Sequence, residues 1–523
     1  MSKYIGLTIG PIGETMQSAR DTGQLWGSSY IFSYIMKNII NKLKDDKEFV
    51  LPYIDDELFE GKNEIGLFSD RMIFKTENED KDMEQLKSII DSILEELSNE
   101  FSDILKVDKN KVNMYVKKYF KIYYLSLDIE ENEDPIMKMN KYLSSLELME
   151  SYVPNESRNY LIEGLSNKNI KKGFLFNDAF CKDNLNYIRS LAEIATKDIL
   201  EEIQRYDIFR DGNKNVEDVY NDIYKDLKNR ISDDKKFKKY DKKAYKYVAI
   251  VQADGDNIGK LIGSLKNNEE RKEFSKKLLK FAKGSHELIK EYDGMTIYAG
   301  GDDILFFAPV IREGRNIFKL LNDISKKFDC SFNEYEDNTP SISFGISIVY
   351  YKYQLYEALK NTSKLLFDRA KKYELRDNNN KIDKNAVSFE VIKHSGQGFG
   401  CTFNKNSKEY EEFLNILDCY FDNKKSISSV YHSLNADKML FNVFDDIEKQ
   451  FNNYFENKFR KEVHKEPNIK EFINSTKNIT KIIFSEENKE SNEKEKKEID
   501  KKMERISAIL KTIKFFNEKG GEE

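Results

Sequence analysis

Two aspartates follow two glycines in Tyr298-Ala-Gly-Gly-Asp-Asp-Ile-Leu-Phe-Phe307, between runs that read as β-strands. The pattern predicts a hairpin whose tip presents Asp302 and Asp303, with Gly300 and Gly301 supplying backbone freedom and close access for a ligand. Neighbouring carboxylates repel, so such a tip favours a cation beside them. A third carboxylate comes from Tyr247-Val-Ala-Ile-Val-Gln-Ala-Asp-Gly-Asp-Asn-Ile-Gly259, where an apolar β-branched run ends in Asp254-Gly255-Asp256. A strand-end aspartate beside a hairpin-tip pair suits two-metal phosphoryl transfer, in which ions activate a hydroxyl and hold the oxygens of the reacting phosphate. Ligation by oxygen alone favours Mg²⁺ or Mn²⁺ over zinc. Asp254, Asp302 and Asp303 are therefore the expected catalytic carboxylates and metal ligands, with Asp256 a further candidate ligand. Gly255, Asn257, Gly300 and Gly301 are the expected nucleotide-binding positions. Alone, Gly-Gly-Asp-Asp is also a surface-turn composition and Asp-Gly-Asp a calcium-loop fragment, but the EF-hand ligand spacing fails here.

Positioning these groups takes a sheet with helical crossovers. Within 244–400 we expect a strand at Val248, a helix over 269–291, the Gly300 hairpin and a helix over 314–328. A strand at Ser341–Tyr350, a helix over 355–373 and a last strand at Ala386–Ile392 complete that domain. Upstream, a strand over 4–9 is broken by Gly10-Pro11, and an amphipathic helix is expected from Thr22 to Lys44. Strands around Phe49–Ile54 and Ile65–Phe74, a helix over 80–106 and a strand at Lys121–Ile129 give a βαββαβ order, that of a ferredoxin-like domain. The expected division is a first palm over 1–150, a helical domain over 151–243, a second palm over 244–400 and a helical domain over 401–523. The fold class is α+β, with two ferredoxin-like palm domains of nucleotide-cyclase or polymerase type and two helical domains. The segment 485–505 is almost entirely charged and carries no chemistry in this reading.

The 523 residues are 39% hydrophobic and 34% charged, enough for several packed domains, and no apolar run reaches membrane-spanning length. A net charge of −6 argues against a chain that coats nucleic acid by itself, though one face can still touch RNA. The lysines around Lys235–Lys239 and Lys242-Lys243 read as a solvated linker or as such a face. Cys181, Cys330, Cys401 and Cys419 are scattered, which predicts neither a zinc ribbon nor a disulfide framework and suits a reducing cytoplasm. His286, His394, His432 and His464 form no His-Asp pattern, so catalysis must rest on carboxylates.

At the level of motifs, the chain resembles the large polymerase/cyclase subunit of type III CRISPR effector complexes, of the Cmr kind. The resemblance rests on Tyr4–Pro11, on Ala19-Arg-Asp-Thr-Gly-Gln-Leu-Trp-Gly-Ser-Ser-Tyr30 and on Ala253–Gly259. Gly300–Asp303, Ser343-Phe-Gly-Ile346 and Arg369-Ala-Lys371 complete it. It implies a partnership with other effector subunits, a guide RNA and target RNA, and no membrane. Target binding would then activate the second palm to make an adenylate second messenger from ATP. It also implies that Lys371 reaches a triphosphate, the alternative being an exposed helix lysine. Many relatives begin with a His-Asp nuclease domain and carry a four-cysteine zinc site; this sequence shows neither pattern, and DNA cleavage by it is not expected.

A third departure concerns the acceptor. Relatives often carry a Pro-Asn-Arg-Phe loop where this chain has Phe68-Ser-Asp-Arg-Met72, so aspartate stands in the place of asparagine. A carboxylate would repel an acceptor triphosphate by on the order of a kcal/mol or more and attract a cationic tail. One branch of the family joins ATP to S-adenosylmethionine, whose sulfonium and amino group are both positive, and the aspartate makes it the favoured acceptor here. Asp70 is the expected contact to its methionine part, with Glu150, Ser28 and Ser29 as further acceptor-site residues. The alternatives are that Asp70 pairs with Arg71 or caps a turn, that the product is a cyclic oligoadenylate made from ATP alone, or that the chain is a non-catalytic scaffold. A diguanylate cyclase shares the palm but carries Gly-Gly-Asp/Glu-Glu-Phe, which this sequence lacks.

Overall fold

The computed structural model describes residues 1–54, 59, 62–131, 133–149, 158–180, 188–205, 216–265, 267–335, 340–377, 380–418, 424–441, 443–444, 446–459, 467–485 and 492–520. Strands β1 (Ser2–Gly10), β2 (Phe49–Leu51), β3 (Arg71–Thr76) and β4 (Lys121–Ile129) form one sheet in the order β2-β3-β1-β4. Both neighbours of β1 run antiparallel to it, as in a ferredoxin-like fold. The intervening helices are α1 (Ile12–Gln17), α2 (Thr22–Leu43), α3 (Glu79–Leu105) and α4 (Lys109–Tyr119), with α5 (Pro135–Glu147) packed after β4. Asp21 starts α2 by accepting from the Gln24 amide at 2.8 Å, and the helix buries Leu25, Trp26, Tyr30, Ile31 and Ile35.

Here the structure departs from the expected strand at Ile65–Phe74. Residues 65–70 form a loop, and the strand starts only at Arg71. The loop is held by side chains rather than by a ladder: the Phe68 amide donates to Ser33 Oγ at 2.9 Å and Ser69 Oγ donates to the Arg71 carbonyl at 2.8 Å. The strand expected over Phe49–Ile54 is likewise short, ending at Leu51 before Pro52.

The short helices α6 (Tyr160–Gly164), α7 (Phe174–Ala179), α8 (Leu191–Ala195), α9 (Lys197–Glu202), α10 (Val216–Arg230) and α11 (Asp234–Tyr240) follow. The second sheet contains β5 (Tyr247–Asp256), β6 (Met295–Gly300) and β7 (Asp303–Pro309), then β10 (Ser341–Tyr350), β13 (Ala386–Ile392) and β14 (Gly398–Asn404). Its order is β14-β13-β10-β5-β7-β6, so its four-strand core β10-β5-β7-β6 repeats the arrangement of the first palm. Two small hairpins lie outside it, β8 (Ile311–Arg312) with β9 (Arg315–Asn316) and β11 (Glu374–Asp377) with β12 (Asn380–Asp383). Helices α12 (Ile258–Ser264), α13 (Asn268–Glu291), α14 (Ile317–Phe332) and α15 (Leu355–Lys364) complete the unit. Ala386–Ile392 is not the last strand: β14 pairs with it antiparallel and crosses residue 400. Its glycines (Gly398-Phe-Gly-Cys-Thr-Phe-Asn404) mask a strand whose alternating Phe399, Cys401 and Phe403 are buried.

The remaining helices are α16 (Lys408–Asp418), α17 (Lys424–Ala436), α18 (Lys438–Phe441), α19 (Ile447–Lys458), α20 (Pro467–Ser485) and α21 (Asn492–Asn517). Much of the charged 485–505 stretch is thus the first half of α21, which turns Ile499, Met503 and Ile506 inward. Among the described residues no helix is long and apolar enough to cross a membrane.

Candidate active site between two palms

Strand register brings the carboxylates together. In the β5–β7 ladder Ala253 pairs with Ile304, so Asp254 emerges beside Asp303 where the pairing ends. In the β6–β7 hairpin Gly300 pairs with Asp303, leaving Gly301 and Asp302 as the tip, and Gly301 sits at φ 69° as this turn requires. Gly255 carries a steric requirement besides its expected place at the nucleotide. A Cβ there would come within 2.7 Å of Asp302 Cβ and Oδ2, so its bare backbone is what lets Asp302 lie across β5. Asn257 adopts the left-handed conformation at φ 63° and precedes α12.

The charges oppose one another. Burial, then the Asp254 carboxylate, push Asp302 up to about 6. Asp303 is raised as well, by burial, by its hydrogen bond with Asp254 and by Asp302. Tyr298, behind the tip, is raised by burial and by Asp303. Lys371 is the nearest compensating cation. Its ammonium contacts the Asp254 carboxylate, lies 2.9 Å from Asp256 Oδ1 and donates to the Gly255 carbonyl at 2.7 Å. Residues Leu365–Ala370 form a π-helical turn that carries Lys371 to this place. Gly345 permits the turn, because a Cβ there would lie 2.5 Å from the Leu366 nitrogen and the Thr362 oxygen.

Asp256 plays another part than Asp254. Its Oδ2 accepts from Ser341 Oγ and Ser343 Oγ, each at 2.7 Å, and from the Asn385 amide at 3.1 Å. Its Oδ1 makes no well-aligned hydrogen bond but is neutralised by the adjacent Lys371 ammonium. A fully buried carboxylate so engaged anchors β5 to β10 and holds Lys371. Among the described residues no three His, Cys, Asp or Glu side chains converge as a metal site in this conformation. The donor set at the tip still fits a divalent cation. Asp254, Asp302 and Asp303 are hard oxygen donors in mutual repulsion, which a doubly charged ion relieves more fully than one ammonium.

A cavity of about 700 Å³ opens in front of this tip, between the palms. Gly300, Gly301, Asp303, Tyr298 and Gln252 form one wall; Ser29, Ser33 and the loop from Gly66 to Asp70 form another. Lys360 and Tyr356 of α15 also line it. Asp70 reaches solvent through the cavity, yet the surrounding protein raises its proton affinity by desolvation, partly offset by Arg71 and reinforced by Glu147. Arg71 does not pair with it: the guanidinium bonds Glu147 at 2.8 Å, and Asn140 and Ser144 each at 3.1 Å. Ser29 lines the cavity, whereas Ser28 lies buried off its wall with an unpartnered Oγ. Glu150 lies outside the described residues. Sequence reasoning did not single out Gln252, Tyr298, Tyr356 or Lys360; Gln252 and Tyr298 stand within the two quoted motifs, while nothing around Tyr356 and Lys360 marks them.

Two ferredoxin-like palms facing each other, one of them with a Gly-Gly-Asp-Asp hairpin, define a protein of the nucleotide-cyclase and polymerase palm class. Residues 247–380 match the model of the Cas10/Cmr2 second palm domain, and residues 4–106 match the model of the CRISPR-associated protein Cmr2 N-terminal region. The two matches support a Cas10/Cmr2 large subunit. The chain is 29% identical over 178 residues to the Cmr subunit Cmr2 of Pyrococcus furiosus, a match covering 29% of this chain and 19% of that relative. Its fold is similar to type III-B Cmr-beta in the apo state, with 13% identity, TM-score 0.54 and coverage of 86% of this chain and 76% of that one. Cmr-beta bound to cognate target RNA gives 12% identity, TM-score 0.52 and coverage of 86% and 77%. A Csm1-Csm4 cassette in complex with cA4 gives 11% identity, TM-score 0.50 and coverage of 98% and 70%.

Proposed function

We propose that this chain is the catalytic subunit of a cytoplasmic, RNA-guided type III effector complex, and that its second palm joins the AMP unit of ATP to a ribose 3′-hydroxyl. The family and the similarity to Cmr-beta, described as bound to target RNA, support partnership with other effector subunits, a guide RNA and target RNA. In the reaction the 3′-oxygen forms a bond to the α-phosphorus, the bond to the bridging oxygen breaks, and pyrophosphate leaves. Asp254, Asp302 and Asp303 would hold Mg²⁺ or Mn²⁺, which supplies charge neutralisation of the phosphates and activation of the hydroxyl. Lys371, released from Asp254, would meet the triphosphate, and the hairpin glycines leave the backbone open beside it. The proton of the attacking hydroxyl, made more acidic by the ion, would pass to solvent water in the open cavity.

The favoured acceptor is S-adenosylmethionine. The observation that carries this is Asp70, on the cavity wall across from the hairpin, with its neighbour Arg71 engaged by Glu147. A carboxylate in such surroundings attracts the sulfonium and amino charges and repels a triphosphate. Lys360 on the same cavity is the observation that favours the second reading, ATP as acceptor and a cyclic oligoadenylate as product. Steady-state kinetics of Asp70→Asn in the assembled, target-bound complex separate them. The expected result is at least a tenfold loss in kcat/KM for S-adenosylmethionine, about 1.4 kcal/mol, with KM for donor ATP unchanged. Undiminished use of S-adenosylmethionine would remove Asp70 from the acceptor site.

A further inference from the structure

We propose that Glu64 is a positioning residue that docks the acceptor loop of the first palm onto the second palm. The inference deepens the functional reading above and rests on it for its kinetic consequence. Glu64 stands at the start of the loop that ends in Asp70, and its carboxylate is mostly buried. Lys290 Nζ of α13 donates to its two oxygens at 2.6 and 2.8 Å, and His286 Nε2, one helical turn earlier, lies 3.3 Å away. The other nitrogen of His286 lies 3.0 Å from Thr296 Oγ1 on β6. Four residues beyond Thr296 the same strand reaches Gly300, so Glu64 is linked through one imidazole to the strand that carries the catalytic tip.

The loop is also tied to its own palm. The Glu64 carbonyl accepts from Trp26 Nε1 at 3.1 Å, and the Asp70 carbonyl accepts from the Ile9 amide at 2.9 Å. The segment, whose residues Gly66–Asp70 line the cavity, therefore has one end on α13 and, through His286, on β6, and the other on β1. Removing the Glu64 carboxylate leaves Trp26 and Ile9 holding the loop to the first palm while freeing its distance from Gly300–Asp303. An acceptor held by Asp70 would then meet the donor phosphate less often, although the donor's own contacts lie on the second palm.

Hydrogen exchange on the full chain tests the brace directly, with Glu64→Gln and, on the helix side, the half-exposed Lys290→Met. Both are expected to speed amide exchange over 65–70 by about tenfold while exchange in Val248–Ala253 of β5 is unchanged. Unaltered exchange over 65–70 in both variants would overturn the proposal. In the assembled complex the same variants should raise KM for the acceptor at least fivefold, with KM for donor ATP within twofold of the unsubstituted protein. A parallel rise in both constants would contradict positioning of the acceptor. If the unsubstituted complex makes no product, the functional reading fails, and the exchange result still decides whether Glu64 braces the loop.

Discussion

Asp302 lies where burial and a neighbouring carboxylate add against its charge. Its ordinary value is 3.8 and its value in the fold is about 6. Between those pH values the folded chain keeps a proton that the unfolded chain has released, so stability falls as pH rises through the window and stays reduced above it. Asp302→Asn is therefore expected to raise Tm by roughly 2–6 °C at pH 7.5 without divalent cations, with the gain fading at pH 4, where both forms are neutral. Added Mn²⁺ should stabilise the unsubstituted chain more than the variant, whose turnover is lost. A lower Tm for the variant at pH 7.5 would contradict the repulsion argument. This part of the site is legible in sequence because residue type and strand-end position are enough to assemble three carboxylates. The separate fate of Asp256 is not, since its partners Ser341, Ser343 and Asn385 lie about 85 to 129 residues away in the chain.

At the scale of elements, one packing sets the position of Lys371 and another ties the helical segment to the second palm. The first is α15 and its π-helical turn over β10, which Gly345 allows. Gly345→Ala forces backbone apart at Leu366 and Thr362, with an expected cost of about 1–3 kcal/mol and weaker binding of ATP through displacement of Lys371. Thermal melts and ATP titration would check both; an unchanged Tm would mean that the turn tolerates the side chain. The second is the charged junction between α9 and the small hairpin β8–β9. Arg312 meets Asp198, Glu201 and Asp293 there, and Asp198 is almost fully buried. Arg312→Ala removes the countercharge of that carboxylate, leaving it the bonds from Tyr245 Oη and the Glu313 amide, and is expected to cost on the order of 3–5 kcal/mol by denaturant unfolding. Helix and strand existence follows from periodicity, which is why α2 and β10 fall within a residue of their expected bounds. The 65–70 loop escapes the same reasoning. Its Ile65 is buried like a strand residue, yet the Phe68 amide goes to Ser33 Oγ, and backbone pairing begins at Asp70, whose carbonyl accepts from the Ile9 amide.

For the whole molecule, α13 forms the seam between the palms. Along it Arg271 pairs with Asp134 at 2.9 Å, Lys276 lies over the Tyr53 ring at 6.0 Å, and His286 with Lys290 holds Glu64. A helix charged along one face reads in sequence as a solvated helix; here part of that face meets the other palm. The duplication of palms was visible in the order of strands, but the cavity between them was not, because it depends on how the two sheets face each other. In the proposed function that cavity would let one palm supply the donor machinery while the other chooses the acceptor. The most direct test of this division is turnover of labelled ATP by the assembled, target-bound complex with Mg²⁺ or Mn²⁺, with and without S-adenosylmethionine. The account predicts a labelled conjugate and pyrophosphate only when S-adenosylmethionine is present, and neither when Asp302 and Asp303 are replaced by asparagine. Oligoadenylates forming from ATP alone, unaffected by S-adenosylmethionine, would contradict it.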